Sequence, residues 1–109
     1  MNGYNLLCDA ARLIGLEGVD ENLKIIGLPL VNSVINELGY AEISSLSEKI
    51  GISSQGVCSA LRFGVAALVA GATGDEQSRD FALQKYHKLK TSLTSHIEKV
   101  RDVLPKGDF

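Results

Sequence analysis

Apolar residues recur at steps of three and four along most of this chain, and no stretch alternates with period two beside β-branched residues. That spacing predicts helices and no strands. A first helix is expected from a cap near Asn5 to Gly15, with Leu6, Leu7, Ala10, Leu13 and Ile14 along one side. Gly15, Gly18 and the acids Glu17, Asp20 and Glu21 then read as a loop whose end caps the next helix. The second helix, from Leu23 to Leu38, carries Leu23, Ile26, Leu30, Val34 and Leu38, and Gly27 and Pro29 interrupt it. Pro29 lacks an amide hydrogen and collides with the carbonyl four residues back, which predicts a kink or a break. Gly39 stands where a left-handed residue closes a helix.

Ser45 and Glu48 have the spacing of a capping box, which predicts a short helix ending at Gly51. A second cap at Ser53 and Ser54 opens a long helix from Gln55 to Ala72, and Gly74 stops it. Asp75 caps the last helix, with a stripe at Ala82, Tyr86, Leu89, Leu93, Ile97, Val100 and Leu104. Pro105 ends that helix and leaves residues 105–109 as a frayed tail.

The stretch from Ala60 to Tyr86 is the most telling. From Leu61 to Ala72 it holds Val, Ala, Leu, Gly and Phe63 with one charge, Arg62. A helix apolar nearly all round must be covered on most sides. With 109 residues in all, the expected fold is all-α, a compact bundle of four to five helices in a single domain over residues 1–109. The apolar helix belongs at its centre, with neighbouring subunits as a second source of cover. The longest apolar run, residues 63–72, is half a membrane span, so a soluble protein is expected.

Composition adds three points. Hydrophobic content of 45% without Trp means that aliphatic side chains build the core. The net charge of −2 hides an asymmetry: residues 1–78 sum to −5 and residues 79–109 to +3. A basic last third reads as a solvated helix face or as a surface for an acidic partner or nucleic acid. Cys8 and Cys58 have no metal or redox spacing and sit in helix-type sequence, so a reducing interior is the default location.

Candidate chemistry is sparse. His87 and His96, nine residues apart on one helix, have no acid–nucleophile arrangement beside them. Glu17, Asp20 and Glu21 lack the alternating ligands and final glutamate of a calcium loop. No glycine loop suited to phosphate is present. Catalytic residues, cofactor and metal are therefore all expected to be none. One pattern competes: residues 43–62 fit a helix-turn-helix, with Leu46, Ile50, Ile52, Val57 and Leu61 at packing positions and Gly51 at the turn. Ser54, Gln55, Ser59 and Arg62 would then face the DNA, although so few cations supply little phosphate affinity.

At residues 60–90 the chain resembles the head–tail connector (adaptor) proteins of long-tailed bacteriophages and prophages. The resemblance rests on Ala60-Leu61-Arg62-Phe63-Gly64-Val65-Ala66, on Gly74-Asp75, and on Phe81 with Lys85-Tyr86-His87-Lys88. It covers about 30 residues by motif and most of the chain by order of parts. After the tyrosine this chain has His87 and Lys88-Leu89-Lys90 where the family has an Asn and a tight basic pair.

The resemblance implies a non-enzymatic structural protein, forming a homo-oligomeric ring between the portal of the filled head and the tail. It places the protein in the virion and the bacterial host cytoplasm. Phe63, Gly64, Leu68 and Gly71 would pack subunits, and Arg79, Lys85, Lys88 and Lys99 would contact DNA or an acidic neighbour. The alternative function is a small helix-turn-helix regulator using residues 43–62.

Overall fold

A computed structural model describes the backbone of residues 1–103 and the side chains of residues 1–93. Four helices follow one another: α1 (Gly3–Leu13), α2 (Glu21–Glu37), α3 (Gln55–Thr73) and α4 (Glu76–Val103). No strand forms among the described residues; one isolated antiparallel bridge joins Asn2 to Lys49. The fold is an all-α bundle.

The central helix is the apolar one. Val57, Ala60, Leu61, Val65, Ala66, Ala67, Val69 and Ala70 are buried, and α1, α2 and α4 each pack against α3. By length and composition alone α3 is long and apolar enough to cross a membrane. Its cover here comes from the three other helices. Each large aliphatic side chain so buried contributes about 1.5–3 kcal/mol.

Both ends of α3 are fixed locally. Ser54 accepts a hydrogen bond from the Val57 amide at 3.4 Å, and Gly74, with φ of 79°, takes the left-handed turn that ends the helix. The Asp75 amide then donates to the Ala70 carbonyl at 2.9 Å. Asp75 in turn accepts from the Ser78 amide and so opens α4.

Gly64 lets α2 and α4 close on α3. A methyl group at Gly64 would lie 2.7 Å from Val34 Cγ1 and 3.0 Å from the Tyr86 ring. The stripe on α4 follows the sequence pattern as far as it is described: Ala82 and Tyr86 are buried, and Leu89 and Leu93 are half-buried against the core. Ile97, Val100, Leu104, His96, Lys99 and the 105–109 tail lie outside the described side chains.

Three expectations are corrected. Helix α1 starts at Gly3, earlier than expected, because Asn2 and Asn5 cap each other: the Asn5 amide donates to Asn2 and the Asn2 amide to Asn5. Of the kink or break expected at Pro29, the break does not occur: helix α2 runs continuously from Glu21 to Glu37. Pro29 is exposed, as is Ile25 four residues back, so water can serve the carbonyl that the proline leaves unpaired. Gly27 lies on the opposite, buried side, where a methyl group would meet Leu7 at 2.5 Å.

The third correction concerns Ser45 and Glu48, which open no helix. Residues 40–54 form one irregular connection between α2 and α3. Glu48 does reach back, but to the Ser44 amide, while Ser45 shares a hydrogen bond with Ser47.

A connection this long needs anchors, and it has several. Asn32 on α2 clamps Ile43 from both sides, donating to its carbonyl and accepting from its amide, each at 2.9 Å. The Gly3 and Tyr4 amides, unpaired within α1, donate to the Glu48 and Leu46 carbonyls at 3.3 and 2.9 Å. Ile43 and Ile50 are buried in the core.

Two predictions follow from this packing, both read by urea denaturation. Gly64→Val should cost about 1–3 kcal/mol through overpacking, whereas Gly71→Ala should stabilise by about 0.5–1 kcal/mol. The sign differs because a methyl at Gly71 meets only the Arg79 Cδ, at an ordinary 3.5 Å. Asn32→Ala should lower stability by about 1–3 kcal/mol, since it strands both polar groups of buried Ile43.

Candidate functional site

Helix α4 presents a different chemistry on each side of its buried Ala82–Tyr86 stripe. On one side, between α3 and α4, lies a groove of about 410 Å³ lined by Ser59, Phe63, Lys85, Lys88, Leu89 and Ser92. The i, i+3 spacing puts Lys85 and Lys88 over the same turn. Phe81, one turn before Lys85, stands 52% exposed, makes an edge-on contact with Phe63 at 6.5 Å, and has the Lys85 ammonium 6.0 Å from its ring centre. Among the described residues no carboxylate comes within ion-pair distance of Lys85 or Lys88. The groove is thus cationic at its rim, aromatic at one end and hydroxyl-bearing on both walls.

The other side of the stripe meets α2 in a smaller groove of about 130 Å³, where Leu68 and Leu83 stand beside Ser33 and His87. At its edge Tyr86 donates its phenolic hydrogen to Glu37, and Lys90 donates to the same carboxylate oxygen at 2.9 Å. Those two hydrogen bonds hold the Glu37 carboxyl below its ordinary pKa. Burial, and then the hydrogen bond to Glu37, push the Tyr86 phenol well above its own. His87 is exposed, with its ring tilted 5.7 Å from that of Tyr86. This cluster ties α4 to α2 and leaves Tyr86 a donor over the whole physiological range.

The candidate residues divide accordingly. Lys85 and Lys88 come together in one groove. Arg79 does not join them: it projects on the far side of α4, over Gly71 and beside Asp80. Gly64 is used inside the chain, against Val34 and Tyr86, so its close approach serves the bundle itself. Phe63 is half-buried against Phe81, while Leu68 and Gly71 remain on open surface. Glu37 and Asn32 carried no role in the sequence reading, and Phe81 entered it only as part of the resemblance. Phe81 had the one available signal, a large aromatic off the apolar stripe yet one turn from a lysine.

Residues 43–51 contain no helix, so the first helix of the helix-turn-helix unit does not form. Of its presumed contact residues, Ser54 caps α3, and Arg62 reaches across to Asp9 on α1 at 3.4 Å. Asp20 is taken up as the cap of α2, and Glu21 pairs with Lys24. Among the described residues no three metal-binding side chains converge, and Cys8 and Cys58 are free thiols.

The Glu37–Tyr86 pair gives a pH signature. A carboxyl held low when folded adds stability above its unfolded pKa and loses it as pH falls through the folded value. A phenol held high adds stability below its unfolded pKa, about 10, and loses it as pH rises further. Tyr86→Phe should therefore lower the urea midpoint at neutral pH by about 1 kcal/mol of stability. The difference from the parent should shrink as pH falls through the lowered Glu37 value, and should begin to shrink as pH rises past about 10, where the unfolded phenol ionises first.

Set against known proteins, the chain matches no family model, no curated protein and no solved structure.

Proposed function

We propose that this chain is a structural connector, a subunit of a ring that joins the portal of a phage or prophage head to its tail. The observation that carries the reading is the α3–α4 hairpin with two unlike faces. The residues of the resemblance meet one another across it: Phe63 against Phe81, Gly64 against Tyr86, and Gly74 with Asp75 at the turn. On one flank Leu68 and Leu83 offer apolar contact. On the other, Lys85 and Lys88 offer positive charge.

A subunit in a closed ring between two unlike assemblies needs this asymmetry, because head-to-tail contacts use different patches on each copy. The apolar flank suits a neighbouring subunit, portal or tail protein. The cationic flank suits an acidic neighbour or DNA passing the ring. On this reading Leu68 is the strongest subunit contact of the four candidates, since Gly64 is spent within the chain.

The reading is tested on particles. A phage or induced prophage lacking this chain should yield filled heads that lose their DNA, together with free tails, when viewed by electron microscopy. Supplying the chain in trans should restore whole particles. Intact tailed particles in its absence would overturn the proposal.

A further inference from the structure

From the α3–α4 groove we infer that this chain binds single-stranded nucleic acid, with phosphates at Lys85 and Lys88 and an unstacked base on Phe81. This goes beyond the connector reading and does not depend on it. The groove supplies a cationic track, and the exposed Phe81 ring, beside it against the groove's Phe63, supplies an aromatic platform, the two parts that such recognition uses. Phe81 is half-exposed although its neighbour Phe63 offers apolar cover, and the Lys85 ammonium stands over its ring. A base that takes that face in place of the ammonium leaves Lys85 to reach the adjoining phosphate. Ser59 on α3 and Ser92 on α4 place a hydroxyl on each wall, within the groove that holds both ammonium groups. No carboxylate lines the groove to repel a phosphate.

The same features disfavour a duplex. Its bases are stacked away from any side chain outside the helix, so Phe81 would go unused. Two lysines also fall well short of the roughly 6–10 phosphate contacts of typical duplex binders. A short strand needs fewer, because stacking supplies about 1–3 kcal/mol per base.

The test is fluorescence anisotropy of a labelled oligothymidylate of about 20 nucleotides, titrated with the full chain across a range of salt. With two phosphates neutralised, log K should fall against log salt with a slope near −1.4. Lys85→Ala or Lys88→Ala should each reduce that slope to about −0.7, and Lys88→Arg should keep it. Phe81→Leu, which retains apolar cover over Phe63 but removes the π-face, should weaken binding about 5- to 150-fold. Phe81→Tyr should bind like the parent. Urea midpoints close to the parent's will show that these exposed substitutions leave the fold intact.

Four results would each defeat the inference. The first is no saturable binding at low salt. The second is unchanged binding in the Lys85→Ala/Lys88→Ala double variant. The third is a duplex of the same length binding more tightly than the strand and failing with Arg62→Ala, which would mark a duplex reader. The fourth is polyglutamate of matched charge displacing the strand while Phe81→Leu has no effect, which would assign the groove to an acidic protein partner. The particle experiment is separate, so either proposal can fail while the other stands.

Discussion

Between Val57 and Ala70 the buried side chains of α3 point in nearly every direction round the helix, and only Leu68 stands exposed among its larger aliphatics. Water is therefore a poor neighbour on almost every side, and the chain must supply three helices to exclude it. The rest of the architecture answers that demand. Helix α4 returns antiparallel from Gly74, α2 closes over Gly64 through Val34, and α1 completes the cover, held in register by Asp9 and Arg62. The ion pair itself is minor, about 0.2–1 kcal/mol for partners this exposed. Its use is alignment, and the driving force is apolar area.

Where local rules and burial agreed, the sequence could be read almost to the residue. The Ser54 cap, the Gly74 stop and the Ala82–Tyr86 stripe are cases in which chemistry and packing give the same answer. Where they disagreed, burial won. The Ser45–Glu48 spacing satisfied a capping rule, yet Ile43 and Leu46, packed against Gly3 of α1, and buried Ile50 gain more from the core than a two-turn helix would offer. Glu48 kept part of its capping role and moved it to Ser44. Pro29 opens no break for a related reason: its cost depends on whether the orphaned carbonyl faces water, and a periodicity argument does not ask that question.

The candidate site was only half visible in the sequence. Helical spacing placed Lys85 and Lys88 together, but the groove needs α3 as its second wall, and Ser59 and Phe63 enter only through tertiary packing. The same packing removed Gly64 from the list of surface contacts and turned Arg79 away from the lysines. Glu37 and Tyr86 lie 49 residues apart, and nothing in either segment alone announces the other. Charge counting located the basic third of the chain. It did not separate a cationic groove from the ion-paired Lys90 and Arg79 on the opposite flank.

The anchoring of residues 40–54 has a consequence for how the molecule assembles in time. Contacts across Gly74 join near neighbours in sequence, so the α3–α4 hairpin can zip together early at small entropic cost. The long connection has no such shortcut. Its carbonyls wait for amides at Gly3 and Tyr4, more than forty residues upstream, and only the Asn32 clamp on Ile43 is local in sequence. The start of α1 thus ties the two ends of the first half of the chain together, so closing the connection costs more loop entropy than closing the α3–α4 turn.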